Sequence, residues 1–121
     1  MPLTIEEKQV ADVVILRLQG RLTLGEETNS LRETVRGLLE KGQRRIVLNL
    51  QGVSYIDSAG VGTLASVFTS ARSKDGVLKL VGLGTHSRDL LQMTKLLTVF
   101  DVAEDEEHAL TGAWSSPRVA R

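Results

Sequence analysis

Short β-rich runs alternate with segments of helical periodicity along this chain of 121 residues. The first two runs, residues 3–9 and 13–19, are separated by Ala11 and Asp12, a gap that fits only a hairpin turn. Further runs follow at residues 45–50, 77–81 and 99–102, with helical segments between them. Strands that alternate with helices pair in parallel through right-handed crossovers. We therefore predict an α/β fold with a mixed five-stranded β-sheet, an initial antiparallel hairpin, a largely parallel remainder and four α-helices.

The first predicted helix carries a signal at each end. Thr23 is followed three residues later by Glu26, which fits a capping box at the helix start. Gly42 supplies the C-terminal stop, because glycine readily adopts the left-handed conformation needed there. Apolar residues at helical spacing between these signals predict a helix of about four turns that packs one face on the sheet.

The other helices are marked by apolar spacing and by acidic or small residues at their starts. The second helix is predicted to begin at about Ser58. Leu90, Leu91 and Leu97 mark the third, and Asp105 is the predicted N-cap of the fourth.

Composition excludes several kinds of partner and site. Lysine plus arginine equals aspartate plus glutamate at 15 each, so no broad positive field is available for nucleic acid. The chain has no cysteine, and His86 and His108 lie in separate segments, which argues against zinc and thiolate chemistry. No apolar run approaches the roughly 20 residues that span a bilayer. We expect no metal, no cofactor, no nucleic acid, no direct membrane insertion and a cytoplasmic location.

The segment D-S-A-G-V-G at residues 57–62 lies where the third strand ends and the second helix begins. In open α/β sheets the working surface lies at the carboxyl ends of the strands, which is where this segment falls. Ser58 has two compatible interpretations. It is an N-cap, a position that Asp57 fills equally well, or it is a phosphorylation site whose phosphate meets the positive end of the helix dipole.

The second helix has no charged residue from position 58 to position 71. Projection at 100° per residue gathers one apolar stripe, which is the usual core face. The opposite side collects small uncharged residues, with Val67 on its flank: Ala59, Gly62, Thr63, Ser66 and Ser70. This pattern favours a surface that a partner approaches closely. The alternatives are that another part of the chain covers this side, or that the glycines suit the tight corner.

These residues resemble the signature of STAS domains in bacterial anti-sigma-factor antagonists. The likeness rests on V-S-Y-I-D-S-A-G-V-G at residues 53–62. It extends in family order to G-R-L-T at 20–23, L-V-G at 80–82 and V-F-D at 99–101. The resemblance covers residues 3 to about 113. It implies a STAS-like single domain in residues 1–113 and a flexible C-terminal tail in residues 114–121.

The resemblance also implies a function based on partner switching. In the family, the serine equivalent to Ser58 is phosphorylated by a partner that is both anti-sigma factor and serine kinase. The unphosphorylated form binds that partner and frees the sigma factor, and a separate phosphatase of the PP2C type resets the system. We therefore expect a non-enzymatic monomer or weak homodimer that is phosphorylated on Ser58. Its predicted partner-binding residues are Asp57, Ala59, Gly60, Gly62, Thr63, Ser66, Val67, Arg21 and Thr23.

The chain departs from the family in the turn after the second strand. Many members have acidic residues there, where this chain has Arg21 and Thr23. We hypothesise that Arg21 lies near Ser58 and partly neutralises its phosphate.

Other functions fit the sequence less well. Gly60, Gly62 and Ala65 formally match a dinucleotide fingerprint, but the acid expected at the next strand end is missing. Ser58 is not flanked by glycines as in a hydrolase elbow, and Asp57 lacks the further carboxylates of a magnesium-dependent phosphoacceptor site. Within the family, the alternative is a STAS subunit of a stress-signalling scaffold or of a transporter complex.

Overall fold

A computed structural model describes residues 3–95 and 100–114. Five strands and four helices follow one another in the predicted order. They are β1 (Thr4–Val10), β2 (Val13–Leu22), α1 (Glu26–Glu40), β3 (Arg45–Ile56), α2 (Ser58–Ser73), β4 (Val77–Val81), α3 (Thr85–Met93), β5 (Asp101–Ala103) and α4 (Glu106–Thr111). Of the residues predicted for the third helix and the last strand, Leu97 and Val99 lie outside the described residues. No helix in residues 3–95 or 100–114 is long and apolar enough to cross a membrane.

The sheet has the strand order β1-β2-β3-β4-β5, with β1 antiparallel to β2 and the other pairs parallel. The predicted mixed sheet and four helices are therefore confirmed. Because successive crossovers have the same hand and move in one direction, α1, α2 and α3 cover the same face of the sheet. Their buried residues share a core with alternate residues of the central strands, including Leu16, Leu48 and Leu80.

Strand β3 is longer than the sequence predicts, because it continues beyond residue 50 to Ile56. Strand β2 extends in step, so that Gln19 pairs with Gly52 and Leu22 with Ile56. Two shifts of register interrupt this second half of the pairing. The shifts break the simple alternation of apolar and polar residues, which explains why periodicity alone misses the extension. The extension places the end of β3 directly before Asp57.

The predicted capping box at the start of α1 is wrong. The helix begins at Glu26, and its N-cap is Gly25, which has a φ of 123° and no side-chain cap. Thr23 therefore lies two residues before the cap position, where its hydroxyl cannot serve the first turn. The Thr28 hydroxyl instead donates to the Gly25 carbonyl oxygen at 3.0 Å. The predicted stop at Gly42 is confirmed: its φ is 95°, and its N–H bonds back to the Leu39 carbonyl.

A polar network fixes α4 to the opposite face of the sheet. The Glu106 carboxylate accepts from Arg17 Nε at 2.8 Å, from Arg17 Nη2 at 2.9 Å and from Asn49 Nδ2 at 2.7 Å. These contacts, led by the hydrogen bond from Arg17, lower the pKa of Glu106 from 4.5 to about 2 against the opposing effect of burial. Asp105 caps the helix as predicted, accepting from the His108 N–H at 2.9 Å. A short helix is thus held on the sheet by charge pairing.

Trp114, the first residue of the predicted C-terminal tail, packs against this face. Its ring lies 4.1 Å from Lys79 Nζ, and Lys79 is buried and donates to the Ala109 carbonyl at 2.9 Å. Burial lowers the pKa of Lys79, although Asp101 opposes that effect. The ammonium group is buried with a single hydrogen bond, and the ring face stabilises its charge by a cation–π interaction. Residues 115–121 lie outside the described residues.

We expect Glu106→Gln to reduce the free energy of unfolding by about 2 kcal/mol at pH 7, because it removes the charge from three hydrogen bonds. The folded pKa lies below the ordinary value, so this stabilisation is present above pH 4.5 and is lost as the pH falls toward 2. The difference between wild type and variant should shrink over that window in urea titrations. Glu107→Gln, at the exposed neighbouring glutamate, is the control. Equal effects of the two substitutions at pH 7 would contradict this account.

Candidate functional site

The corner between β3 and α2 is closed by the Asp57 side chain. Asp57 has an extended backbone, and its Oδ1 accepts from the Gly60 N–H at 2.8 Å. Asp57 is therefore the N-cap of α2, and Ser58 is the first helical residue. This assignment separates the two interpretations of Ser58, since the capping role belongs to its neighbour.

The second carboxylate oxygen of Asp57 reaches the turn between β2 and α1. Asp57 Oδ2 accepts from the Leu24 N–H at 3.1 Å, and the Asp57 N–H donates to the Leu22 carbonyl at 3.3 Å. Burial acts to raise the pKa of Asp57, but the N–H groups of Gly60 and Leu24 outweigh it and lower the pKa below its ordinary value. Asp57 is thus a charged brace between two loops.

Ser58 is exposed at the start of α2. Within residues 3–95 and 100–114, its hydroxyl makes no hydrogen bond. The first turn of the helix contains no acidic residue, so the positive end of the helix dipole is offset only by Asp57. The hydroxyl is therefore open to modification, and the local field favours a negative group there.

From Ser58 onward, the exposed side of α2 consists of short, uncharged residues. We call this the α2 surface, and it comprises Ser58, Gly62, Ser66, Thr69 and Ser70. The first charged residue of the helix is Arg72, near its C-terminal end. On α2 itself the surface thus carries no long side chain, and charged side chains of α1, Arg32, Glu33 and Arg36, border it beside Ser66 and Ser70.

Thr63 and Val67 do not belong to the α2 surface, contrary to prediction. Both are buried, at 0% and 2% exposure, because α1 packs alongside α2 and covers that flank. Thr63 Oγ1 is satisfied within the helix by the Ala59 carbonyl at 3.0 Å. Val67 lies in a small groove of about 130 Å³ that is also lined by Val35 and Arg36 of α1. The alternative that another part of the chain covers this side holds for these two positions.

Gly60 and Gly62 have different roles. Gly60 is buried, and a Cβ there would overlap the Leu22 carbonyl oxygen and come within 2.8 Å of Ile56 Cγ2. Its glycine is required by the close approach of β2, so the predicted partner contact at Gly60 is corrected. A Cβ at Gly62 would meet nothing within 4 Å. The fold therefore does not require glycine at position 62.

A stack of three side chains lies at the carboxyl ends of β2 and β3. The Arg21 guanidinium is 5.1 Å from the Tyr55 ring centroid, and Tyr55 stacks on His86 with centroids 5.2 Å apart. Arg21 is exposed, and no hydrogen bond joins it to Ser58 among the described residues. The hypothesis that Arg21 partly neutralises a phosphate on Ser58 stays a prediction. Thr23 is half-buried in the adjacent turn.

Leu24, Tyr55 and His86 also lie in this region, although the sequence pattern does not place them together. Tyr55 pairs with Arg21 across the strands, but that register follows a shift that the sequence does not display. Leu24 carried no signal except its apolar character in a turn. Its 78% exposure becomes visible only in the structure.

An open cavity of about 780 Å³ lies near α4, away from Ser58. Its lining includes Arg17 and four acidic residues in sequence, Glu104 to Glu107. The Arg17 guanidinium is already paired with Glu106. This acidic lining disfavours phosphate-bearing ligands.

We expect alanine substitutions at the two glycines to have opposite effects on stability. Gly60→Ala should destabilise the protein strongly or prevent folding, because the new methyl group overlaps backbone atoms of β2. Gly62→Ala should stabilise it by up to about 1 kcal/mol, because alanine is the better helix former and the position is open. Thermal and urea unfolding would measure both. A Gly62→Ala variant as unstable as Gly60→Ala would contradict this division.

Curated proteins with similar sequences include anti-sigma factor antagonists. BtrV of Bordetella bronchiseptica, provisionally named an anti-sigma factor antagonist, is 31% identical over 90% of this chain and 91% of its own. The anti-sigma F factor antagonist of Paenibacillus polymyxa is 27% identical over 92% of this chain and 95% of its own. Among solved structures, the provisionally named anti-sigma factor antagonist TM1081 of Thermotoga maritima superposes with a TM-score of 0.81. That match has 28% identity and covers 88% of this chain and 91% of TM1081.

The family model described as the STAS domain matches residues 4–109, which include every described strand and the Asp57–Ser58 corner. The fold, the corner and the relatives agree on a single assignment. The chain belongs to the STAS domain family.

Proposed function

We propose that this chain is an anti-sigma-factor antagonist controlled by phosphorylation of Ser58. Its unphosphorylated form binds an anti-sigma factor that is also a serine kinase, and this binding frees the sigma factor. Phosphorylation of Ser58 ends the binding, and a phosphatase of the PP2C type restores it. The relatives' names support the antagonist role. This role requires that the chain binds a partner and is phosphorylated, and it requires no catalysis by the chain itself.

The observation that carries the proposal is an exposed serine that the fold does not use. Asp57 caps α2, so the Ser58 hydroxyl has no structural duty. It stands at the end of the uncharged α2 surface, where a kinase active site can reach it without unfolding the helix. A serine engaged in capping would have to surrender a hydrogen bond before accepting a phosphate.

Gly62 supports the proposed docking of a partner on the α2 surface. Glycine inside a helix costs about 1 kcal/mol relative to alanine, and packing in the free protein does not require it. A partner that packs on the bare helix backbone supplies a reason for that cost. The side chains of Ser66 and Ser70, farther along the same side of α2, are also short and uncharged.

The electrostatics of the corner explain how one phosphate acts as a switch. The phosphate adds about −1.5 to −2 charges directly beside the ionised Asp57. In the free protein, water and the N-terminus of α2 accommodate this charge. In a close interface with an uncharged surface, the phosphate must be desolvated beside a second negative charge, which opposes binding.

Incubation with ATP and each kinase-type anti-sigma factor encoded in the same genome tests the modification. We expect one phosphate on the wild-type chain by intact mass, and none on Ser58→Ala. Ser66→Ala is the matched control, because Ser66 is an exposed serine on the same helix, and it should gain the phosphate as the wild type does. A Ser58→Ala chain phosphorylated as readily as the wild type would refute the assignment.

Binding of the same anti-sigma factors tests the switch. We expect Ser58→Ala to bind within about twofold of the wild type and Ser58→Asp to bind at least about tenfold more weakly, a difference of about 1.4 kcal/mol. Ser73→Asp, at an exposed serine at the far end of α2 and outside the α2 surface, controls for an added charge and should bind as the wild type does. Calorimetric titration would measure the affinities. Equal affinity of the wild type and Ser58→Asp would contradict the proposal that a negative charge at position 58 ends binding.

A further inference from the structure

Leu24 has a large apolar side chain that is exposed to solvent. It lies in the turn between β2 and α1 and is 78% exposed. The next residue, Gly25, has a φ of 123°, a conformation that lets the chain turn sharply into α1. A single exposed leucine needs no explanation by itself. Its distinguishing feature is how its backbone is held.

The backbone of Leu24 is fixed by the same carboxylate that caps α2. Asp57 Oδ2 accepts from the Leu24 N–H at 3.1 Å, while Oδ1 accepts from the Gly60 N–H at 2.8 Å. Residues 57 and 58 are adjacent, so this brace sets the turn that carries Leu24 beside the start of the α2 surface. An apolar group with its backbone already ordered loses less conformational entropy on binding than one on a loose loop.

We infer that Leu24 is an apolar anchor for the protein partner, and that Asp57 is the positioning residue that presents it next to Ser58. The inference rests on the proposed function and adds the chemistry of the contact. The partner offers an apolar cavity for the leucine, beside the area that receives the uncharged α2 surface. Small residues on α2 allow close approach, and the leucine supplies the apolar area that those small residues lack.

Affinity for the kinase-type anti-sigma factors of the same genome tests the anchor. We expect Leu24→Ala to weaken binding about tenfold. Met93→Ala is the matched control, because Met93 is equally exposed at 78% and lies at the end of α3. It should bind within about twofold of the wild type. Both side chains are exposed, so neither change should alter thermal unfolding.

The outcomes separate the anchor from the proposed function. Failure of the wild-type chain to bind any of these anti-sigma factors overturns the proposed function and the anchor with it. Binding by the wild type with equal affinities for Leu24→Ala and Met93→Ala overturns the anchor alone. Weaker binding by Leu24→Ala only supports both.

Hydrogen exchange of single amides tests the positioning role without any partner. Asn is as good an N-cap as Asp, so Asp57→Asn keeps an oxygen for the Gly60 N–H and turns its NH₂ group toward Leu24. We expect a larger loss of protection at the Leu24 amide than at the Gly60 amide, which keeps an oxygen acceptor. Binding should weaken in the same direction as for Leu24→Ala. Unchanged exchange at Leu24 in this variant would overturn the positioning role.

Discussion

The carboxylate of Asp57 joins the two loops that define the Ser58 corner. One oxygen holds the first turn of α2, and the other holds the turn that leads into α1. Both interactions are charge-assisted hydrogen bonds to backbone N–H groups, which are stronger than those between neutral groups. Because the N-cap is occupied by Asp57, Ser58 is left exposed at a helix start that favours negative charge. The proposed modification and the proposed anchor both depend on this one side chain.

The two faces of the sheet are stabilised by different means. The face beneath α1, α2 and α3 is a continuous apolar core. The face beneath α4 has a small apolar cluster, supplemented by the Arg17–Glu106 pair and the buried Lys79. Ser58 lies on a helix of the apolar face, so the surface available to a partner is backed by close packing. The polar network is remote from that surface and serves to retain a short final helix.

Local sequence signals predicted those parts of the fold that depend on local chemistry. The strand Val77–Val81, the Gly42 stop and the Asp105 cap all follow from residue preferences within a few positions. The capping-box prediction at Thr23 is wrong, because the turn before α1 is held by a hydrogen bond to Asp57, which is distant in sequence. The hydrogen bond from Leu24 to Asp57 spans 33 positions, and no local pattern encodes it.

In the candidate site, too, the sequence predicts what depends on local periodicity and does not predict what depends on tertiary packing. Periodicity along α2 separates its core stripe from its opposite side, but it does not tell which flank a neighbouring helix covers. Thr63 and Val67 were therefore assigned to the wrong environment, whereas Gly62 and Ser66 are exposed as the projection suggests. The contrast between Gly60 and Gly62 is also invisible in sequence, since only one of them faces the backbone of β2.

The placement of Tyr55 and Trp114 has an experimental consequence. The chain contains one tyrosine and one tryptophan. The tyrosine lies in the stacked trio at the carboxyl end of β3, and the tryptophan covers Lys79 beneath the C-terminal helix. The two rings therefore lie in separate regions of the molecule, and selectively excited tryptophan emission distinguishes them without any introduced label. Tryptophan emission thus reports on the attachment of α4 and not on the end of the sheet that carries Ser58.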